Sequence, residues 1–403
     1  MAGELLNTLL RTSLSGLVAM AVLGIASAAA ASEGAASDGV APSAASRADV
    51  VYWPAPPVPP VLPQTEQQKE AARTHGRELP AAELLQPTLD HDLPSYQPGN
   101  ERQISGTYTG GASDVLVALV NRWFKRFAEL HPDVQLRLTP PPYAGSLGTK
   151  ELIRQSVDFV FVSRELKPED NEEFKQRFGY LPTSVPVAGG SYRHFGFLDA
   201  MGFFVHPDNP LSQLDFTQID AMFSSTRHRG APAIRSWGQL GLKGEWADKP
   251  IRMYAIQPWN GFEEFIRQRV LSPGNSRGEW RADLLYDKLV FPLAARVAND
   301  RYGIGYSGLA YIDSPVKMLP LAAAPGEAAV APTYENVARA IYPLSRLIYF
   351  NVNKVPGEPV PPALDAFLRF VLSREGQQIV LDHAVFLPLR AGQAAHATAL
   401  LNQ

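Results

Sequence analysis

Apolar and polar positions follow two different periods from about residue 102 to the end of the chain. Short runs of consecutive apolar residues indicate buried strands, and apolar residues spaced three or four apart indicate helices. The predicted strands are residues 104–107, 134–138, 157–162, 200–205, 251–255, 304–307 and 347–352. The predicted helices are residues 150–155, 216–223, 262–271 and 363–372, together with one that has Ser113 as its N-cap.

Strands that alternate with helices over this length favour an α/β fold with parallel sheets, divided into two lobes with a cleft between them. We predict a first lobe of residues 101–200 and 340–403 and a second lobe of residues 201–339. The strands at 200–205 and 347–352 are the candidate crossings of a hinge between the lobes. Closure about such a hinge would bury a ligand away from water.

The first hundred residues have a composition unlike the rest of the chain. Residues 13–31 form an apolar run that gives way to alanine and serine, which predicts a signal peptide over residues 1–31. An uncleaved membrane anchor is the alternative interpretation of this run. Residues 32–100 form a Pro/Ala-rich arm that we expect to be flexible, with an extended proline-rich stretch at 52–63. We therefore expect an exported protein, located in the periplasm and soluble there.

Composition excludes several functional classes. The net charge of −3 implies no sequence-independent affinity for nucleic acid. The chain has no cysteine, which rules out disulfides, thiolate catalysis, zinc held by cysteine and a lipid-anchored cysteine. The metalloprotease, nucleophile-elbow and P-loop motifs are missing from the sequence. We predict no catalytic residue, metal or cofactor, and keep an exported hydrolase as a minor alternative.

The stretch GSLGTKELIRQSVDFVFVSREL, residues 145–166, carries the first candidate site. Gly145 and Ser146 precede a helix whose first N–H groups and positive dipole end can hold an oxyanion. A buried strand then ends at Ser163 and Arg164, and a guanidinium offers a bidentate fork to phosphate or carboxylate. A plain cap and turn, with a solvated arginine, is the structural alternative.

Two further helix starts combine glycine with side chains that could contact an anion. Gly110–Gly111 precede Ser113 and Asp114, and Asn260 and Gly261 precede the helix predicted at 262–271. Serine and asparagine at such positions commonly cap the helix, and their hydroxyl or amide can instead donate to a ligand. Both interpretations stay open for each helix start.

The order of these segments resembles that of the phosphate-binding proteins of ABC phosphate importers. The segments are SGTYTGGASDVL, GSLGTKELIRQSVDFVFVSREL, FFVHPDNPLSQLDFTQIDAMFS, IRSWGQLGL, GIGYSGLAYI, YPLSRLIYFNVNK and FLRFVLSREGQQIV, and together they lie within residues 103–390. The resemblance implies the two-lobed type II periplasmic binding fold, with a ligand held between the lobes by loops at the helix starts.

The resemblance also implies which residues contact the ligand. Carried over position by position, they are Ser113, less surely Asp114 and Val115, then Gly145 with Ser146, Ser163 with Arg164, and Asn260 with Gly261. The fourth loop departs from the family pattern Arg-Asp-x-Gly-Ser-Gly-Thr. Residues 256–262 read IQPWNGF and keep only the second glycine, so the usual arginine is Ile256 and the usual threonine is Phe262.

Two functional hypotheses follow. The first is an exported, monomeric solute-binding protein that captures phosphate or a related oxyanion and delivers it to an ABC importer in the membrane. The second is a scaffold or sensor that keeps the binding-protein fold and has lost the ligand. In the first hypothesis, Arg164 replaces the charge that the fourth loop lacks.

Overall fold

The computed structural model describes residues 88–98, 104–140, 147–194, 197–258, 261–312 and 314–402. The predictions for the signal peptide and for most of the arm lie outside these ranges. Among the described residues, no helix combines the length and the apolar character needed to cross a membrane.

The strands and helices alternate along the chain, as the sequence predicts. The strands are β1 Gly106–Ala112, β2 Val134–Leu138, β3 Phe159–Val162, β4 Thr183–Gly189, β5 Met201–Val205, β6 Leu214–Asp215, β7 Arg252–Ile256, β8 Leu285–Asp287, β9 Gly303–Gly308, β10 Lys317–Met318, β11 Leu321–Ala322 and β12 Leu347–Val352. The helices are α1 Val117–Leu130, α2 Leu147–Arg154, α3 Pro168–Phe178, α4 Phe216–Phe223, α5 Gly261–Ile266, α6 Pro292–Ala298, α7 Tyr334–Ala338, α8 Pro362–Val371, α9 Arg374–His383 and α10 Ala391–Leu401. A π-helical turn, Arg267–Leu271, continues α5.

Two five-stranded sheets form the centres of two lobes. The first sheet has the order β2-β1-β3-β12-β4, in which β1, β2 and β3 are parallel and β12 runs antiparallel to both of its neighbours. The second sheet has the order β10-β5-β9-β7-β8. The prediction of a two-lobed α/β fold is therefore confirmed.

Helix α1 shows how the apolar pattern builds the first lobe. Its stripe of Leu119, Val120, Trp123, Phe124 and Phe127 is buried, as its spacing predicts. This stripe packs against the aromatic residues of β3 and of α8, with Phe124 for example in edge contact with the rings of both elements. Burying one large apolar side chain stabilises the fold by about 1.5–3 kcal/mol. The helix is thus held by packing of this one face.

The second lobe has its own aromatic core. Trp280 stacks on Tyr306 of β9 with ring centroids 5.5 Å apart and an interplanar angle of 9°. Phe203 of β5 and Phe223 of α4 pack on the same tyrosine. Burial raises the pKa of Tyr306 well above its usual value, so this ring stays neutral and packs as a core residue.

The first strand begins later than the sequence predicts and includes residues that we assigned to a loop. Strand β1 covers Gly106–Ala112, whereas the apolar pattern suggested 104–107. Gly110 and Gly111 therefore lie inside a strand. A Cβ atom on Gly110 would approach the ring of Phe159 to 1.9 Å, so this glycine allows the neighbouring strand to place its aromatic side chain against the backbone.

The two crossings between the sheets also differ from the predicted ones. Strand β5 lies wholly in the second sheet and β12 wholly in the first. Residues 190–200 and 339–346, just before these strands, connect the sheets instead. The two segments are joined by hydrogen bonds from the Gly190 N–H to the Arg346 carbonyl, 2.8 Å, and from the Met201 N–H to the Leu344 carbonyl, 3.2 Å.

Residues 88–98, which the sequence analysis assigned to the flexible arm, pack on the first lobe. Leu93 is buried, and the Arg374 guanidinium donates to the carbonyl oxygens of His91 and Leu93 at 2.6 and 3.2 Å. The Tyr96 N–H donates to the Glu375 carboxylate at 2.6 Å. These contacts fix the last part of the arm to α9.

Candidate anion-binding site

Two serines follow neighbouring strand ends of the first sheet. Strands β1 and β3 are parallel, with Ala112 opposite Phe161, and the Ser113 N–H donates to the Phe161 carbonyl at 3.1 Å. Ser163 comes directly after β3 on the adjacent strand. Because neighbouring strands lie about 4.8 Å apart, Ser113 and Ser163 emerge side by side at the same edge of the sheet.

The hydroxyl groups of these serines have no hydrogen-bond partner in the part of the chain that the structure describes. Ser113 precedes a short 3₁₀ turn that leads into α1. The sequence predicts that its side chain caps the helix, but the hydroxyl makes no capping hydrogen bond. Ser113 is buried and Ser163 is half-buried. Asp114 is exposed, and its carboxylate accepts the Val115 N–H at 2.9 Å, while Val115 itself belongs to the core.

Arg164 is buried between the two lobes, with 6% of its surface exposed. Its Nη1 donates to the Glu165 carbonyl at 2.9 Å and to the Gln268 side-chain oxygen at 3.4 Å. The second contact crosses from the first lobe to the π-helical turn of the second. Burial lowers the pKa of Arg164, and the acids Glu264 and Asp170 oppose this effect. The alternative of a solvated arginine is therefore wrong.

The acids around Arg164 are paired with other cations. Arg277 donates to both oxygens of Glu264 at 2.6 and 2.9 Å, and Lys167 lies 3.8 Å from the same carboxylate. Burial would raise the pKa of Glu264, but these hydrogen bonds and charges outweigh it and keep the pKa below its usual value. Lys150 lies 3.1 Å from the buried Asp170. Within the described ranges, no carboxylate lies within ion-pair distance of the Arg164 guanidinium.

A second set of contacts joins the lobes beside Arg164. The Arg269 guanidinium donates to the Glu165 carboxylate at 2.6 Å and to the Pro343 carbonyl at 3.2 Å. The Tyr349 hydroxyl donates to the same carboxylate at 3.1 Å. Glu165 therefore connects strand β12 with the π-helical turn, and Arg269 connects that turn with the segment before β12.

Arg346 is a second buried arginine that the sequence analysis did not select. It immediately precedes β12, is 6% exposed, and lies over the rings of Phe265 at 4.7 Å and Phe262 at 6.0 Å. Burial, with a smaller contribution from the charge of Arg164, lowers its pKa to about 10, against the opposing charges of Asp199 and Glu165. Like Arg164, it is a positively charged residue beside a buried strand of the first sheet. An arginine next to an apolar run is visible in the sequence at both places.

Three further residues near the junction of the lobes are occupied by structural contacts. Asp199 is fully buried, and its Oδ2 accepts the Ala310 N–H at 2.9 Å. Ile256, where the family pattern has arginine, ends β7 and is fully buried in the core of the second lobe. Phe262 packs edge-on against Tyr311 at 5.1 Å, so it fills space beside the candidate site.

The remaining predicted residues divide into two groups. Gly145, Ser146 and Asn260 lie outside the described residues. Gly261 is described: it is exposed, starts α5, and has open space where a Cβ would stand. The structure therefore brings together Ser113, Ser163 and Arg164 and leaves the contribution of the other loops as a prediction. No cluster of histidine and acidic residues suited to a metal ion occurs in the described residues.

Two α/β lobes joined by two crossings, with buried arginines where the lobes meet, define a two-lobed binding protein. The chain belongs to the PBP superfamily, whose domain model matches residues 97–375. A phosphate-binding protein, PstS, of Pseudomonas aeruginosa strain PAO1 is 33% identical over 310 residues, covering 77% of this chain and 90% of the relative. The resemblance stated from the sequence is confirmed.

Further similar proteins include one relative and two solved structures at lower sequence identity. The protein SphX of Synechococcus elongatus is 25% identical over 252 residues, covering 62% of this chain and 68% of the relative. The crystal structure of PstS from Borrelia burgdorferi aligns with a TM-score of 0.48 and 17% identity, covering 71% of this chain and all of that chain. A possible phosphate-binding protein from Planctomyces limnophilus aligns with a TM-score of 0.44 and 19% identity, covering 74% and 98%.

Proposed function

We propose that this protein is an exported solute-binding protein that captures phosphate, or a related tetrahedral oxyanion, between its lobes and delivers it to an ABC importer. It acts by binding and performs no catalysis. The protein works as a monomer with lobes at residues 101–200 plus 340–403 and at residues 201–339. The signal segment at residues 1–31 directs it out of the cytoplasm.

One observation carries the proposal: Arg164 is buried between the lobes, and among the described residues it has no acid at ion-pair distance, while the hydroxyls of two serines at the adjacent strand ends have no partner there either. A buried charge without a counter-charge costs free energy, and a bound anion would remove that cost. The name of the relative from P. aeruginosa supports phosphate as the anion.

The strength of the site follows from the number of contacts. Each hydrogen bond between a charged and a polar group contributes about 1.5–3 kcal/mol. Four or five such bonds, less the cost of association, correspond to a dissociation constant of about 1 μM or below. We therefore expect tight binding despite the replacement of the family's arginine by Ile256.

Calorimetric titration of the purified protein with phosphate at neutral pH tests the proposal. We expect a dissociation constant in the micromolar range or below, and a loss of at least about tenfold in Arg164→Met. Arg301→Met is the matched control, because Arg301 is an exposed arginine of the second lobe that pairs with Glu245. Absence of binding to phosphate, sulfate and phosphonates would instead support a scaffold or sensor that has lost the ligand.

A further inference from the structure

The guanidinium of Arg346 has no hydrogen-bond partner among the residues that the structure describes. Its side chain is more than nine-tenths buried, and its Nε is fully enclosed without an acceptor. A guanidinium carries five N–H donors, and leaving buried donors unsatisfied is unfavourable. The contact with the Phe265 ring satisfies part of the charge but accepts no N–H.

The position of Arg346 places this guanidinium between the lobes. Its carbonyl accepts the Gly190 N–H of the other crossing segment, and its side chain lies over Phe265 of α5 in the second lobe. Its charge interacts with that of Arg164, which follows β3, the strand that pairs with β12 in the same sheet. The two arginines therefore place two positive charges close together where the lobes meet, Arg346 at the hinge and Arg164 in the first lobe.

The acids around the two arginines all have other partners. The first lobe contributes Glu165, Glu169 and Asp170, the second lobe contributes Glu264 and Tyr311, and the crossing segment contributes Asp199. Each of the acids has a hydrogen-bond or ion-pair partner other than these two arginines: Arg269 for Glu165, Arg277 shared by Glu169 and Glu264, Lys150 for Asp170 and the Ala310 N–H for Asp199. Among the described residues, neither guanidinium has an acidic partner at ion-pair distance.

We propose that Arg164 and Arg346 form a paired-guanidinium site that takes doubly charged tetrahedral oxyanions and binds sulfate about as well as hydrogen phosphate. The proposal rests on the proposed function and names its ligand class. Two guanidiniums match a charge of two. The hydroxyls of Ser113 and Ser163 can donate to sulfate or accept the proton of hydrogen phosphate, so both dianions fit.

Calorimetric titration of the full chain with sulfate and with phosphate, each at about pH 8 and about pH 5.5, tests the charge preference. Sulfate stays doubly charged over this range, whereas phosphate becomes a monoanion. We expect dissociation constants within about tenfold of each other at the higher pH, and phosphate alone weakened about tenfold or more at the lower pH. The ratio of the two affinities cancels any effect of protein titration that the two anions share.

Variants separate a ligand contact from a structural role. Arg346→Met should weaken sulfate binding about 10- to 100-fold, Arg346→Lys should restore part of it, and Arg301→Met should bind like the unaltered protein. Unchanged sulfate binding in Arg346→Met, or a preference of more than about 100-fold for phosphate at the higher pH, would overturn the proposal and leave phosphate capture intact. Failure of the unaltered protein to bind either anion would refute the proposed function itself.

Discussion

Arg346→Met should stabilise the protein when no anion is present. Burial lowers the pKa of Arg346 to about 10, a shift that corresponds to about 3 kcal/mol against the charged form. Methionine keeps the apolar stem against the Phe265 ring and removes the charge. Loss of the contact between cation and ring offsets about 1–2 kcal/mol of this gain. We therefore expect a net increase of about 1–2 kcal/mol in the free energy of unfolding.

The dependence on pH follows from the direction of the shift. The folded-state pKa of Arg346 is lower than that of the unfolded chain, so the unfolded state binds more protons at pH values between the folded-state pKa of about 10 and the higher pKa of the unfolded chain. The folded protein therefore gains stability from deprotonation of Arg346 only above about pH 10. The full cost of the buried charge is therefore present at neutral pH, where the comparison is made.

Thermal unfolding in a buffer free of phosphate and sulfate measures this effect. An increase of about 1–2 kcal/mol should raise the melting temperature by about 2–8 °C, and Arg301→Met should leave it nearly unchanged. Phosphate at 100 times its dissociation constant should add about 2.7 kcal/mol to the unaltered protein and, for an affinity about 10- to 100-fold weaker, only about 0.4–1.4 kcal/mol to Arg346→Met. A variant that melts several degrees lower without anion would refute the reasoning, because Arg346 would then be part of the structural core.

Three other predictions follow from the described contacts. Arg269→Met removes the half-buried ion pair with Glu165 and should destabilise the closed arrangement of the lobes by about 1 kcal/mol. X-ray scattering without anion should then show a larger radius of gyration for the variant than for the unaltered protein. Gly110→Ala should lower the free energy of unfolding by about 1–3 kcal/mol in a urea titration, because the new methyl group would collide with Phe159. Burial lowers the pKa of His383 to about 4, so about 3 kcal/mol of stability should be lost as the pH falls from about 6.5 to 4. Urea titrations at both pH values should show a smaller loss for His383→Phe.

Each of these predictions has an outcome that contradicts it. An unchanged radius of gyration in Arg269→Met would mean that the ion pair does not hold the lobes together. Gly392→Ala is the control for Gly110→Ala, because a Cβ at Gly392 meets open space, and equal effects in both variants would exclude the collision. A pH dependence that persists in His383→Phe would assign the acid sensitivity to other groups.

The sequence predicts the elements whose apolar pattern is continuous. Strand β12 and helix α4 begin and end where the pattern indicates, because each presents an uninterrupted apolar run or stripe to a core. Strand β1 was misplaced since Gly110 and Gly111 resemble a loop, and their role depends on the Phe159 ring of a neighbouring strand. Such a contact between distant residues leaves no local pattern.

The candidate site was predictable to a similar extent. The proximity of Ser113 and Arg164 follows from helix starts and strand ends in a parallel sheet, which sequence can indicate. The importance of Arg346 depends on tertiary structure: its burial and its lack of an acceptor are visible only once both lobes surround it. The pairing of Glu264 with Arg277 is likewise non-local, and it removes a negative charge that would oppose an anion.

A crystal structure of the protein grown with phosphate is the most direct test of the site. The account predicts a tetrahedral anion between the lobes that accepts hydrogen bonds from the guanidinium groups of Arg164 and Arg346 and contacts the hydroxyls of Ser113 and Ser163. An anion bound elsewhere, or an empty cleft in which both guanidiniums contact only protein groups, would contradict it.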